Sequence, residues 1–341
     1  MAEPERTAPR PTIADVAREA GVSGATVSRV INGAKWVSEE TKAAVEAAIS
    51  KTGFSANQRA RSLATGRSNS IVFLLTEPQS RLFEDPTFSI LLDEIGKELD
   101  RHDLALVLML ANSAREKERA LRYLQEGHAD GALLVSTHQD DELLRKLAKA
   151  RIPTVACGLP IGHEREISSV SVDEAGGARM MTHYLRSQGC EEICFVAGPP
   201  DSPGGQLRLA GYREAMGSSF DPTLVLRGDY SRESGRDCAT ACLASGARPD
   251  CFFAASDLMA AGVIEAVEAA GLRVPEDIGV AGFDDGPIAS SLAPPLTTVH
   301  QPFGDISVEM VEQIRGLISG GRKKTSVFEP NLVVRESTRT A

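Results

Sequence analysis

No stretch of this 341-residue chain is apolar for long. The longest unbroken run, LALVLMLA from Leu104, falls far short of the roughly twenty residues a membrane-spanning helix needs. The opening MAEPERTAPRP is charged and proline-rich with no apolar core. Residues 1–10 are therefore expected to be a disordered tail rather than a targeting peptide, and the protein is expected in the cytoplasm, with no membrane partner. Enzyme signatures are missing too: there is no Gly-x-Ser-x-Gly elbow, no GxxxxGK[ST] phosphate loop and no HExxH zinc motif. The six histidines (102, 128, 138, 163, 183, 300) are scattered with no pair at ligand spacing. None lies where it would complete a zinc pattern with Cys190/Cys194 or Cys238/Cys242. Reduced, partly buried thiols are expected, with no metal, no cofactor and no catalytic constellation.

Charge is unevenly spread. Of 37 Lys/Arg and 47 Asp/Glu, residues 1–68 hold ten and seven, a balance of +3; the remainder holds 27 and 40, or −13. Only the first part suits a polyanion, and the acidic part would be repelled by it.

That basic part contains TIADVAREAGVSGATVSRVING, from Thr12 to Gly33. Thr12 is a good helix N-cap with Asp15 completing a capping box, and Ile13, Val16, Ala17 and Ala20 form one apolar stripe. Gly21 stops that helix. Ser23 caps a second one, whose Val27, Val30 and Ile31 are expected to face inward and Gly24, Ala25, Ser28 and Arg29 outward. A third helix starts at Ser38, buries Val45, Ala48 and Ile49, and ends at Gly53. This is the helix-turn-helix plan, whose second helix enters the DNA major groove. On pattern alone a structural cap or a protein-binding module remains open.

TIADVAREAGVSGATVSRVING, continued by VSEETKAAVEAAISKTGF and NQRARSLATGRS, resembles the lactose-repressor (LacI) family of bacterial transcription regulators without a gap from Thr12 to Ser68. The rest of the chain also fits that family. The resemblance implies DNA contacts at Thr12, Ser23, Gly24, Ala25, Thr26, Ser28, Arg29 and Asn32. The hinge at 57–69, from Asn57 on, is too short and polar for a stable isolated helix. It is either a solvated linker or, as expected here, a DNA-binding segment that folds only against DNA. Arg59, Arg61 and Arg67 would then meet phosphates and Leu63 wedge between base steps, the use the resemblance implies for that leucine. Ser55-Ala56 departs from the family, which usually has proline before the asparagine.

From Ile71 the pattern changes to strands alternating with helices. IVFLLT, LALVLML, GALLVS and PTVACG are short apolar runs, and the pattern repeats with SSVSVD, EICFVAG, TLVLRG, DCFFAAS and IGVAGFD. Repeated βαβ units imply parallel sheets covered on both faces. So many strands predict two α/β lobes, with LTTVHQP crossing back to the first. The fold class expected is thus a two-lobed, periplasmic-binding-protein-like α/β body with a small all-α headpiece at 11–56. Lobe one would span about 70–170 and 302–328, and lobe two about 171–301 and 329–341.

Ligands of open α/β sheets bind beyond the carboxyl ends of strands. Arg208, Ser256-Asp257, Asp284-Asp285 and Gln301 fall at such places, where a forked guanidinium, carboxylates and an amide can grip vicinal hydroxyls. Tyr230 and Phe303 offer ring faces for stacking. Helix caps and surface loops are the plain alternative, above all for Asp257. The resemblance supports Arg208, Tyr230, Asp284, Gln301 and Phe303 as effector contacts. Ser256 stands where the family usually has asparagine, and Gly158-Leu159 where many sugar-responsive relatives carry Asp-Arg.

Together these readings predict a ligand-responsive repressor that binds a near-palindromic, double-stranded operator as a homodimer. A sugar or sugar derivative is the expected effector. Purine-dependent corepression, activation, and a solute-binding protein for transport are the competing readings.

Overall fold

The computed structural model describes residues 11–31, 36–54, 67–139 and 141–339. The expected tail and the expected roles of Asn32, Asn57, Arg59, Arg61 and Leu63 lie outside them. The chain divides into two units, residues 1–68 and 69–341.

The small unit holds three helices: α1 (Ile13–Ala20), α2 (Gly24–Ile31) and α3 (Glu39–Thr52). The Asp15 carboxylate accepts from the Thr12 backbone N–H and hydroxyl at 2.9 and 2.7 Å, which holds its pKa below the usual carboxylate value. Gly21 ends α1 in the left-handed region at φ 66°, and Ser23 Oγ accepts from Thr26 N at 3.1 Å to start α2. Val16, Ala17, Val27, Val45, Ala48 and Phe54 form the core. So few apolar groups cannot stabilise much, and the caps carry a correspondingly large share. Ala25 and Arg29 face solvent. Gly24 and Ser28 depart from the outward expectation: both are half-buried, and a Cβ at Gly24 would touch Ile13.

The large unit builds two parallel sheets. In chain order the first lobe contributes β1 (Ser70–Leu75), α4 (Gln79–Glu84), α5 (Pro86–Asp100), β2 (Ala105–Leu110) and α6 (Ala114–Gln125). It continues with β3 (Gly131–Val135), α7 (Glu142–Lys149), β4 (Thr154–Cys157) and β5 (Ser168–Val172). The second lobe contains α8 (Glu174–Ser187), β6 (Ile193–Ala197), α9 (Pro203–Met216), β7 (Val225–Arg227) and α10 (Arg232–Ala244). After these come β8 (Cys251–Ala254), α11 (Asp257–Ala269), β9 (Gly279–Ala281), α12 (Pro287–Ser291) and β10 (Thr298–His300). The chain then returns through α13 (Phe303–Ile318), β11 (Thr325–Phe328) and β12 (Asn331–Val333).

Strand order is β11-β5-β4-β3-β1-β2 in lobe one and β7-β6-β8-β9 in lobe two, with β10 and β12 paired antiparallel. The strand SSVSV, which opens the second run of the sequence pattern, belongs to the first sheet, where it pairs with β4 and β11. Alternation along a strand says which face a residue takes, not which sheet the strand joins. The chain passes between lobes at residues 172–174, 300–303 and 328–331. In β1, Ile71, Phe73 and Leu75 face the core under α5 and α13, while Val72 and Leu74 face that under α6 and α7. The strand is buried on both faces, hence its unbroken apolar run.

Two findings in lobe two concern close approach. Gly262 of α11 lies against the Arg232 carbonyl oxygen of α10, and Gly235 of α10 against that of Met259, so a Cβ at either would collide with backbone. Cys190 and Cys251 are joined in a disulfide, Cα atoms 6.1 Å apart, correcting the expectation of reduced thiols for this pair. The cause is the β6–β8 register, which sets Cys251 beside Ile193 and so within reach of Cys190.

Candidate functional site

The carboxyl ends of strands from both sheets converge on one cleft. Glu77 follows β1, Ser136 and Thr137 follow β3, and Gly158 follows β4 in lobe one, while Glu174 opens α8 just past the first crossing into lobe two. Ser202, Tyr230, Ser256 and Asp284 follow β6 to β9, and Gln301 and Phe303 follow β10. The walls enclose about 860 Å³, the solvent-open mouth included.

Arg208 reaches the cleft from the middle of α9 and is 6% exposed. Its Nε donates to Glu174 Oε2 at 2.6 Å, and its Nη1 donates to the Ala255 carbonyl at 2.5 Å while lying 3.3 Å from Asp284 Oδ1. The guanidinium carbon sits 3.8 Å over the Phe283 ring. Burial opposes this charge, but Glu174 and Asp284 overcome it and raise the pKa. Burial also drives the Asp284 carboxyl up to about 7 against the pull of Arg208. Gln301 Nε2 donates to Asp284 Oδ1 at 2.7 Å. Tyr230, at φ 71°, and Asp284, at φ 121°, occupy backbone conformations that cost on the order of 1–3 kcal/mol each and concentrate at binding sites. The Tyr230 hydroxyl lies 3.3 Å from Ser202 Oγ, and burial pushes its pKa to about 12.

All six residues singled out in the sequence for effector contact, Arg208, Tyr230, Ser256, Asp284, Gln301 and Phe303, line this one cavity. Ser256 has a second task, since its Oγ caps α11 by accepting from Met259 N at 3.2 Å. Asp257 is not in the wall; it accepts from the Thr298 hydroxyl at 2.5 Å and from Gly286 N at 2.9 Å, tying α11 to the loop after β9. Sequence reasoning missed Glu77, Arg81, Asp85, Phe88 and Glu174. For Glu174 the signal was present, because it lies two residues past the end of β5, much as Asp284 lies three past β9. The wall carries four carboxylates (Glu77, Asp85, Glu174, Asp284) against two guanidiniums (Arg81, Arg208).

A polar bridge joins the two lobes and reaches Glu77 of the cleft wall. His138 Nε2 lies 3.0 Å from Glu77 Oε1 and its Nδ1 3.0 Å from Asp201 Oδ2, while Gln206 Nε2 donates to Gln139 Oε1 at 2.8 Å. The hydrogen bond to Glu77 outweighs burial and raises the His138 pKa, with Asp201 adding to it. Burial pushes Glu77 up, but hydrogen bonds from His138 and Ser136 overcome it and hold the carboxyl below its usual value. A raised histidine contributes fully below its unfolded value of 6.5 and loses that contribution as pH climbs through the folded value. The lowered Glu77 contributes above 4.5 and loses it as pH falls through the folded value. Stability from the bridge is therefore greatest between these limits. Raising the pH from about 6 to about 8 is expected to lower the melting temperature more in the wild type than in His138→Gln. Parallel melting curves for the two proteins would show that the bridge carries no charge.

In the headpiece, Arg29 is an exposed cation in the last turn of α2, with exposed Ala25 one turn back. Ser23, Thr26 and Ser28 flank this surface, and the Ser23 and Thr26 hydroxyls are 2.9 Å apart.

Comparison with known proteins gives two family matches. Residues 12–57 match the lacI family of bacterial regulatory proteins, and residues 182–338 match the periplasmic binding protein-like domain. The chain is 39% identical over 334 residues to the HTH-type transcriptional regulator CelR of Thermobifida fusca, covering 96% of this chain and 98% of that protein. Among solved structures, a complex of transcriptional regulator CelR with cellobiose is similar at TM-score 0.76 and 38% identity, covering 96% of this chain and all of that one. The lac repressor dimer bound to operator and the anti-inducer ONPF is similar at TM-score 0.86 and 28% identity, over 97% of this chain and 99% of that one.

Proposed function

Since the chain belongs to the LacI family of bacterial regulatory proteins, we propose that it is a cytoplasmic repressor, not an enzyme, that grips a near-palindromic operator as a homodimer and releases it when a sugar occupies the cleft. The observation that carries the effector reading is Arg208, a buried guanidinium already neutralised by Glu174 and Asp284 at the base of a cleft with aromatic walls. Such a site offers paired hydrogen bonds to hydroxyls and ring faces to a pyranose, with no spare positive charge for a phosphate. Likeness to a regulator solved with cellobiose supports the same class. The effector contacts are Arg208, Tyr230, Ser256, Asp284, Gln301 and Phe303. One α2 helix reads only a few base pairs, and two-fold pairing supplies the remaining specificity.

A thermal-shift screen of sugars, sugar phosphates and nucleobases, followed by operator release with each hit, tests this reading. A neutral sugar that stabilises the protein and releases operator is expected. A nucleobase that tightens operator binding would replace induction with corepression.

DNA reading rests on Arg29 in this proposal, with Thr12, Ser23, Gly24, Ala25, Thr26 and Ser28 around it. Arg29→Ala is expected to remove about 1–3 kcal/mol of discrimination between operator and random duplex, the worth of a bidentate guanine contact. Titration of both duplexes at one salt concentration measures it. Equal affinities for wild type and variant on both would take base reading away from α2.

A further inference from the structure

The two arginines of the cleft differ in what holds them. Every contact of Arg208 described above is to its own lobe, and its charge is matched twice. Arg81, on α4 of lobe one, is 12% exposed at its side chain and lines the same cavity. Its Nη2 lies 3.8 Å from Asp85 Oδ2, too far for a hydrogen bond, and its Nη1 is buried with no hydrogen-bond partner. Among the described residues only three buried side-chain nitrogen or oxygen atoms are so placed, and the other two, Ser307 Oγ and Gln313 Oε1, are on α13 outside the cleft wall. A buried donor is costly to leave unmade, and in native proteins it usually has a partner.

We propose that Arg81 is the lobe-one anchor for the effector, its guanidinium donating to a hydroxyl or ether oxygen of a neutral saccharide whose other end is held by Arg208. The proposal rests on the cleft being the effector site. Gly158, also in the lobe-one wall, offers no side-chain donor of its own. The neutral class follows from the surroundings. Asp85 and Glu77 flank Arg81 in its own lobe, and its charge is felt across the cleft by Asp229, so no net positive field awaits an anion. A ligand held by both Arg81 and Arg208 touches both lobes at once. Its binding energy then differs between open and closed arrangements, which is the condition for switching.

The test is isothermal titration of the full-length protein with cellobiose, maltose, lactose, trehalose and glucose 6-phosphate, on wild type, Arg81→Met and Arg208→Ala. At least one neutral disaccharide is expected to bind the wild type, with Arg81→Met weakening it by about tenfold to a hundredfold, the worth of a hydrogen bond to a charged group. Glucose 6-phosphate is expected to bind no more tightly than the best neutral sugar. Wild-type affinity in Arg81→Met beside loss in Arg208→Ala overturns the Arg81 assignment and leaves the cleft reading intact. No binding of any disaccharide to the wild type overturns both. Tighter binding of the phosphate overturns the neutral class. Should Arg81→Met fail to fold by circular dichroism, Arg81→Gln replaces it; the same loss is expected, and unchanged affinity counts against the assignment.

Discussion

Arg208→Ala is expected to hold operator yet no longer release it when effector is added. The headpiece and Arg208 belong to separate units of the chain, so the DNA-reading surface keeps its own core. Coupling between such sites is typically 1–3 kcal/mol, a change in operator affinity of about 5–150-fold, and all of it should vanish. The variant has a second signature. Without the guanidinium, Glu174 and Asp284 remain in the cleft as half of a buried ion cluster, a loss worth about 3–5 kcal/mol. Lobe two should therefore melt earlier, and the Asp284 pKa should move further above about 7, since Arg208 is what pulls it down. Operator titrations with and without effector, beside calorimetry, separate the two. A variant that still releases operator at wild-type effector concentration would place the ligand site elsewhere.

Gly262→Ala is expected to destabilise by about 1–3 kcal/mol, the cost of forcing extra volume into a packed interior. The sign is what makes the measurement informative. In an exposed helix the same change would stabilise by about 1 kcal/mol, because alanine is the better helix former. Here a methyl group would meet the Arg232 carbonyl oxygen of the facing helix, and α10 and α11 would have to separate. Gly235 makes the reciprocal approach on Met259, so the double variant should cost less than the sum of the single ones. Denaturant titration decides, and a stabilised Gly262→Ala would mean that the two helices pack less closely than described.

Both helices of that pair were visible in the sequence, but their spacing was not. Apolar runs such as IVFLL marked strands because they are buried on both faces, and Thr12 and Asp15 marked a helix start because capping is local chemistry. The six effector candidates came from one rule about strand ends together with the family resemblance, and they line one cavity. Arg81 escaped that rule because it stands on a short helix one turn past a strand, and only tertiary packing turns it into the cleft. The Cys190–Cys251 pair escaped for a related reason. Sixty-one residues separate the two, and their meeting depends on the register of two parallel strands, which no spacing in the sequence encodes. The strand SSVSV was legible as a strand and not as a member of its sheet, since partner choice is a property of the whole lobe.

The three passages between lobes have a consequence for the order in which a ribosome completes the protein. Lobe one begins first, but Phe303, Ile306, Met310, Val311 and Ile314 of its core and its edge strand β11 are made only after nearly all of lobe two. Lobe two waits in turn for Ser337, whose hydroxyl donates to the Val280 carbonyl at 2.6 Å and accepts from Thr297 N at 2.8 Å. Residues 303–338 thus close both lobes, and at roughly 5–20 residues per second their synthesis takes roughly 2 to 7 seconds. Until then the nascent chain carries two unfinished apolar cores side by side. Translation of residues 303–338 is the interval in which chaperones and proteases compete for it.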